Sequence, residues 1–420
     1  MKRLHVLVVA ASCDASDVGE AFVGYQWVRN IARRARVTLL TQQRVGRAAV
    51  AKQLPGVEVV AFPEPAFPAA LERFNAMAKP AYPLFRRRAE RWIAQALAAG
   101  RHFDVAQQVT PLALRCVSPL ARFDIPWVMG PLGGSLDTPE TFAAECGSAA
   151  LFTRLRGLDR LRIALDPMLR RSWRRAGLVL GVAPYVGELL AEVGLQRFEV
   201  MSELGIEDLA PVRRRPSRRG ALKLVHVGRA VRTKGLRDAI RALALLPEDL
   251  DVALDVAGDG EERPLCEALA RELGVAHRVR FHGRIDRDRV EALYAEADAF
   301  LFPSFREPSG SVVFEAMRHG LPVIAADRGG PGHVVDEHSG IRVPITDPER
   351  FAADLADAIR ALAASPERVA RLSEGARSRM ADVGLWDRKL DRLMAFYEAL
   401  VTGDAPRAAM PAGHATPNPI

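Results

Sequence analysis

Pro303–Gly330 reads PSFREPSGSVVFEAMRHGLPVIAADRGG. Four apolar residues, Ala299-Phe300-Leu301-Phe302, precede it as a buried strand. A loop carries Glu307, followed by the small residues Ser309, Gly310 and Ser311. Val312-Val313-Phe314-Glu315 then starts a helix that runs to His319, Gly320 stops it, and Leu321–Ala325 is the next strand. Strand, loop, helix, glycine stop and strand form a parallel α/β unit. Pro308-Ser309-Gly310 lets the backbone come close to a ligand and leaves free N–H groups at a helix start, where an anion is favoured. Seven residues separate Glu307 from Glu315. One acid therefore sits on the loop and the other about one turn into the helix, so both can face one crevice at the strand's carboxyl end. The alternative is a loop acid and a helix acid beside a macrodipole, with no shared task.

Upstream, His226-Val227-Gly228-Arg229 ends another strand and Lys234-Gly235 opens the helix after it. Two cations about five residues apart on such a loop can clamp a diphosphate, arginine as a fork and lysine as a point charge. In isolation they read equally as exposed surface cations. Ala257-Gly258-Asp259-Gly260 and Gly283-Arg284-Ile285 lie at successive strand ends of the same half.

At 420 residues the chain exceeds one ordinary core, so two domains are expected. With 49% hydrophobic and 26% charged residues it has a globular composition. Lys plus Arg number 59 against 51 Asp plus Glu, a formal charge of +8. A basic balance suits nucleotide phosphates, acidic lipids or nucleic acid. No basic patch interleaved with aromatics is present, so nucleic acid is not expected as a partner. Cys13, Cys116, Cys146 and Cys266 are scattered, without CxxC or His/Cys ligand spacing, which fits reduced thiols in a cytoplasmic protein and no metal site. Lys2-Arg3 and the apolar run ending at Ala11-Ser12-Cys13 faintly mimic a lipoprotein signal. His5 interrupts that run and Asp14 follows it, so it reads as a first strand. No apolar run approaches the ~20 residues of a membrane span.

Strands and helices alternate through residues 1–205: strands over Leu4–Ala10, Val37–Thr41, Val57–Ala61, Phe103–Gln107, Trp127–Met129 and Val179–Val182, with helices over Ala21–Arg34, Phe85–Ala99 and Pro184–Val193. This is a doubly wound domain with a parallel sheet covered on both faces. Phe62–Arg88, rich in Pro, Phe and Ala, reads as an excursion. Leu151–Arg175 laces leucines with arginines, and reads either as a solvated helix packed by its leucines or as an interfacial helix meeting anionic lipid. Residues 206–220, with Pro211, Pro216 and Arg213-Arg214-Arg215, read as a linker. A second α/β domain is expected over 221–385, a last helix over 386–401, and a disordered tail rich in Pro, Ala and Gly over 402–420.

Glu307, Gly310 and Glu315, with Glu315-Ala316 and Gly320-Leu321-Pro322-Val323-Ile324 behind them, resemble the signature of the family 4 retaining glycosyltransferases, a group 1 family of the GT-B fold. The resemblance implies two Rossmann-like doubly wound domains facing a cleft, with the nucleotide-sugar donor on the carboxyl-terminal domain and the acceptor on the amino-terminal one. It also implies a last helix that crosses back to the amino-terminal domain. By the same resemblance Arg229 and Lys234 stabilise the departing nucleotide diphosphate, Glu307 stands near the donor sugar, and Glu315 accepts from the ribose hydroxyls. Gly228, Gly258, Gly260 and the backbone around Arg284 and Ile285 surround the nucleotide, and the N–H groups of Ser309, Gly310 and Ser311 meet the sugar and a phosphate oxygen. No cofactor is implied, because the nucleotide-sugar is a substrate. No metal is implied either, since cationic clamps can replace one.

The amino-terminal half departs from the family pattern. Gly19, in Asp17-Val18-Gly19-Glu20, sits where the family has a glycine-bearing loop near the phosphates and the acceptor. Many relatives carry a histidine near the middle of this domain. Here that place reads Met129-Gly130-Pro131-Leu132-Gly133-Gly134, and Gln107 stands where relatives often have another histidine. Gly133 and Gly134 could instead bring backbone amides to the acceptor.

The expected activity is retaining sugar transfer to a hydroxyl of a glycan or lipid-linked acceptor, in the biosynthesis of a glycan, polysaccharide or glycolipid. No acceptor-side nucleophile stands out, which fits the front-face mechanism proposed for the family. The alternative is a catalytically silent relative that binds a nucleotide-sugar or glycan as a scaffold. The leucine-arginine stretch adds an expected anionic membrane surface as a partner, hence a cytoplasmic protein peripheral on the inner face of the membrane.

Overall fold

A computed structural model describes residues 3–65, 79–146, 161–211 and 221–404. The excursion 62–88, the helix 151–175 and the linker 206–220 lie partly outside the described residues, as does nearly all of the tail 402–420.

Two compact units emerge. The first gathers Met1–Ser135, Gly157–Glu203 and Lys389–Ile420; the second gathers Leu136–Arg156 and Leu204–Arg388. The first is built on seven strands: β1 (His5–Ala10), β2 (Arg36–Gln43), β3 (Glu58–Pro63), β4 (Val105–Thr110), β5 (Trp127–Leu132), β6 (Leu178–Gly181) and β7 (Phe198–Val200). They lie in the order β3-β2-β1-β4-β5-β6-β7, every pair parallel. The second holds six parallel strands: β8 (Leu222–Val227), β9 (Val252–Ala257), β10 (Val279–Gly283), β11 (Ala299–Phe302), β12 (Val323–Ala326) and β13 (Gly340–Val343). Their order is β10-β9-β8-β11-β12-β13.

Central strands of a parallel sheet are covered on both faces, which is why Val6–Val9 and Ala299–Phe302 are apolar without alternation and fully buried. Helix starts follow local chemistry. Asp347 and Ser365 accept from the N–H groups of Arg350 and Arg368, each with proline at the next position, and so cap Pro348–Ala363 and Pro366–Val383. In each unit the strand order reverses once, between β1 and β4 and between β8 and β11. Crevices for ligands open at such switch points, outside the carboxyl ends of the strands.

Strands β7 and β13 add to the sequence reading, being short segments whose few apolar residues give no period to read. Gly329–Val334 forms a helical turn. One expectation needs correction. Leu136–Arg156 clusters with the second unit instead of lying in a continuous domain over 1–205. The cause is Phe142, fully buried in the second core with its ring 4.5 Å from Phe305 and 5.8 Å from Phe351. Among the described residues no helix is long and apolar enough to cross a membrane.

The last helix, Trp386–Thr402, contributes Lys389 onward to the first unit. Tyr397 donates from there to the Gln107 side chain, whose amide donates to the Gly130 carbonyl at 2.7 Å. Lys389 itself is 3% exposed, donates to the Ser202 carbonyl and lies 5.2 Å from the Trp27 ring. Burial lowers its pKa to about 7, against the opposing pull of Glu203 and with a smaller push from Arg392. Between pH ~7 and the ordinary lysine value, the unfolded chain holds a proton that the folded chain does not. Unfolding free energy should therefore rise with pH across that window, by up to ~1.4 kcal/mol per pH unit from this group. Denaturant titrations at pH 7, 8 and 9 should show that slope in the wild type and lose it in Lys389→Met; equal slopes would remove Lys389 as its source.

Candidate functional site at the second switch point

The loops after β8 and β11 meet backbone to backbone. Gly235 (φ +76°) closes the turn Arg232–Lys234 and precedes the helix Leu236–Ala244, and a Cβ there would lie 2.0 Å from the Pro303 carbonyl oxygen. Ser304 donates to the Thr233 carbonyl at 2.9 Å. His226 joins the same two strands, donating from Nδ1 to the Leu301 carbonyl at 2.9 Å. Burial pushes its pKa down to about 4, so it is a neutral structural ring and not a third cation of the site.

Glycines stitch the neighbouring loops. A Cβ at Gly258 would lie 1.8 Å from the Gly228 carbonyl oxygen, and one at Gly260 would lie 2.3 Å from that of Ala230. Gly258 N–H donates to Gly283 at 2.8 Å, and Gly228 N–H donates to Ala257 at 3.0 Å. Gly258 and Gly260 thus act first as close-packing points, with the Gly260 N–H turned onto Asp259 at 2.8 Å. Gly329 and Gly330 press in the same way on the carbonyls of Glu307 and Ser309, and Gly330 N–H donates to Glu307 at 3.0 Å.

The charged groups converge on this frame. Lys234 and Glu307 form a direct ion pair, both side chains mostly buried. Glu307 also accepts from Gly310 N–H at 3.2 Å, so that amide, expected from sequence to be free, is engaged. Gly310 (φ +85°) caps the helix Ser311–Arg318, which carries Glu315. Burial raises the Glu315 pKa, Arg287 opposing and Glu291 adding to the effect, and Tyr294 Oη lies 3.5 Å from its carboxylate. Arg229 is exposed and makes no ion pair among the described residues. Arg284 is exposed and Ile285 half-buried, beside Gly283.

The acceptor-side expectations fare differently. Gly133 N–H donates to the Leu112 carbonyl at 2.8 Å and Gly134 N–H to Tyr185 Oη at 3.1 Å. Both amides are spent inside the first unit, so neither is free for an acceptor. Gly19 (φ +64°) precedes the helix Glu20–Arg34, with open space where a Cβ would stand. Among the described residues, no three of His, Cys, Asp and Glu are grouped to hold a metal ion.

Residues 213–379 match the family described as Glycosyl transferases group 1. This part of the chain is similar to the group 1 glycosyltransferases. A Mycobacterium tuberculosis glycogen synthase is 32% identical over 209 residues, 49% of this chain and 49% of that protein. A D-inositol 3-phosphate glycosyltransferase of Xylanimonas cellulosilytica is 37% identical over 179 residues, 41% of each. The chain spans half or less of the length of these curated relatives. Over 94% of its length it superposes on all of HepE from Anabaena, solved in complex with UDP and glucose, with a TM-score of 0.58 at 18% identity. The fold is GT-B, with two Rossmann-like domains.

Sequence reading missed what holds the loop after β8 in place. Arg232 is buried two residues before Lys234 and pairs with the fully buried Asp238 at 2.6 Å and with Glu145 at 2.6 Å. Its guanidinium lies 5.5 Å from the Phe142 ring and 5.1 Å from the Phe305 ring. Arg237 and Arg241 add further links to Glu262, Glu145 and Asp238. A buried aspartate six residues after an arginine, across a loop and helix start, was the available signal. Asp238→Ala would strip a buried guanidinium of one partner and should cost about 3 kcal/mol. Chemical denaturation measures it; a loss below about 0.5 kcal/mol, the scale of exposed pairs, would show that Glu145 alone suffices.

Proposed function

We propose that this chain is a retaining glycosyltransferase, moving a sugar from a nucleotide-sugar bound on the second unit to the hydroxyl of a glycan or glycolipid acceptor held by the first. The observation that carries the reading is the Lys234–Glu307 pair at the β8/β11 switch point, inside the matched segment. Lys234 is a fixed cation where a diphosphate would sit, and Glu307 is a carboxylate where the donor sugar would follow it. Incoming phosphate competes with Glu307 for Lys234 and frees the carboxylate to accept from sugar hydroxyls. Arg229, exposed on the same loop, supplies the second cation.

As the C–O bond to the leaving diphosphate breaks, negative charge grows on the bridging oxygen, and cations already in place lower that barrier. Glu315 takes the ribose hydroxyls. Its raised pKa means that nucleotide affinity falls as pH drops through that value, because the protonated acid loses acceptor capacity. Uridine is the first base to test, since HepE was solved with UDP. With two cations on the loop, the reaction is proposed to run without a metal.

Lys234→Ala and Arg229→Ala should each lower turnover by ~10²-fold, more than they change the donor Michaelis constant, because leaving-group charge develops only toward the transition state. Glu315→Ala should weaken UDP binding by ~1.5–3 kcal/mol, read by calorimetry. Turnover is followed as release of free nucleotide diphosphate, and the product's anomeric configuration by NMR. Wild-type turnover in either cation variant, inversion at the anomeric carbon, or complete loss on adding a chelator would each contradict the corresponding part of the proposal.

We further propose peripheral attachment to an anionic membrane face. Arg170, Arg174 and Arg175 are tied down: Arg170 donates to the Glu192 carbonyl, Arg174 to Val193 and Arg175 to Asp124. Facing water beside the exposed Arg171, Arg174 and Arg175 is the apolar set Leu161, Leu165 and Met168, at 54%, 68% and 53% exposure. These fall at helical spacing on either side of the Asp166 cap that starts Pro167–Arg175. Co-sedimentation with anionic vesicles at low salt should fall at least roughly tenfold in Leu161→Gln/Leu165→Gln, since each side chain forfeits apolar burial. Equal binding by wild type and variant would sink the attachment site.

A further inference from the structure

The switch point of the first unit holds a cavity of about 350 Å³. It opens at the carboxyl ends of β1 to β4, lined by the segments that follow each strand and by the start of the helix Glu20–Arg34. None of the histidine-equivalent or double-glycine positions lines it.

Among the described residues its charged lining is four carboxylates, Asp14, Asp17, Glu20 and Glu64, against two cations, Arg44 and Lys79. Both cations are engaged by the lining itself. Arg44 reaches Asp17 at 2.8 Å and Glu64 at 3.2 Å, and Lys79 reaches Glu20 at 2.9 Å. Asp14 remains, 6% exposed. Burial pushes its carboxyl up, but hydrogen bonds from the Ser16 N–H and hydroxyl, both at 2.8 Å, with Gln53 and the charge of Arg47, leave it below the ordinary carboxylate range. Among the described residues the lining is therefore acceptor-rich and carries net negative charge, with no cation spare for an anion. Hydroxyl groups donate well to carboxylates. A phosphate or a second carboxylate would be desolvated beside like charge.

We infer that this cavity takes a hydroxyl-rich sugar that brings no negative charge into it, so that the acceptor is glycosylated on a neutral or amino-bearing residue. This rests on the proposed transfer reaction for the word acceptor, while the binding chemistry stands apart from it. Apolar residues, Val50, Ala81, Tyr82 and Pro111 among them, also line the cavity and suit the C–H face of a pyranose.

Saturation-transfer NMR on the full chain tests this with methyl glycosides of glucose, galactose, mannose and N-acetylglucosamine, the matching 6-phosphates, and glucuronate. At least one neutral glycoside should bind, its 6-phosphate and glucuronate roughly tenfold more weakly or not at all, and Glu20→Gln should narrow or reverse that preference by releasing Lys79. Glu64→Gln, which releases one arm of Arg44, gives the same readout should Glu20→Gln misfold. Binding of phosphates as tight as that of neutral glycosides, no binding of any neutral glycoside, or a preference unmoved in both folded variants would overturn the inference. Release of nucleotide diphosphate from UDP-sugars by the same preparation reports on the transfer reading by itself. Its absence would defeat that reading while leaving the sugar-binding result to be judged on its own.

Discussion

The backbone contact between Gly235 and Pro303 is the constraint from which the donor-side geometry follows. Strand order reverses between β8 and β11, so the loops after these strands diverge to opposite faces of the sheet and leave a crevice. Only a glycine at 235 lets them touch before they part, at a φ that other residues rarely adopt. That approach places Lys234 against Glu307, although the two are 73 positions apart in the chain. The buried Arg232–Asp238 pair holds the turn from beneath, and Gly329 and Gly330 hold the Glu307 loop from the other side. The ion pair is thus a product of backbone packing, which brings the two loops together while leaving the side chains free to change partners.

Charge is organised locally, and the formal +8 of the chain says little about either switch point. At the second, Lys234 is paired with Glu307 and Arg229 stays exposed, the arrangement on which the proposed phosphate site rests. At the first, carboxylates outnumber cations and consume them. Two sheets of the same winding therefore present opposite electrostatic environments at equivalent places. Architecture sets where a ligand goes, and side chains set which ligand.

The second unit was the legible one because its chemistry is local in sequence. Arg229 and Lys234 share one loop, and Glu307 and Glu315 share another, so spacing alone aligned them with strand ends. Strands β8 to β12 were readable from apolar runs between glycine stops, while β13 has only four residues, one of them exposed. The first-unit cavity was illegible for the opposite reason. Asp14, Arg44, and Glu64 with Lys79 come from three separate connections, none of which carries a motif. Leu136–Cys146 escaped notice because the partners of Phe142 and Glu145, namely Phe305, Phe351, Arg232 and Arg241, lie far along the chain.

Gln107 shows how a departure from a family pattern can be structural. The missing histidine there, with that at Met129–Gly134, was the motive for reading the chain as a silent binding relative. Gln107 is fully buried, and its two polar ends are both in use, one on the Gly130 carbonyl and the other on Tyr397 of the last helix. A neutral imidazole at that position would offer one donor and one acceptor on a shorter, rigid ring, and could not reach both partners in the same geometry. The position in this chain serves to fasten a helix to a strand. Its identity is then fixed by Tyr397, and the absence of histidine carries no weight against an active donor site elsewhere in the molecule.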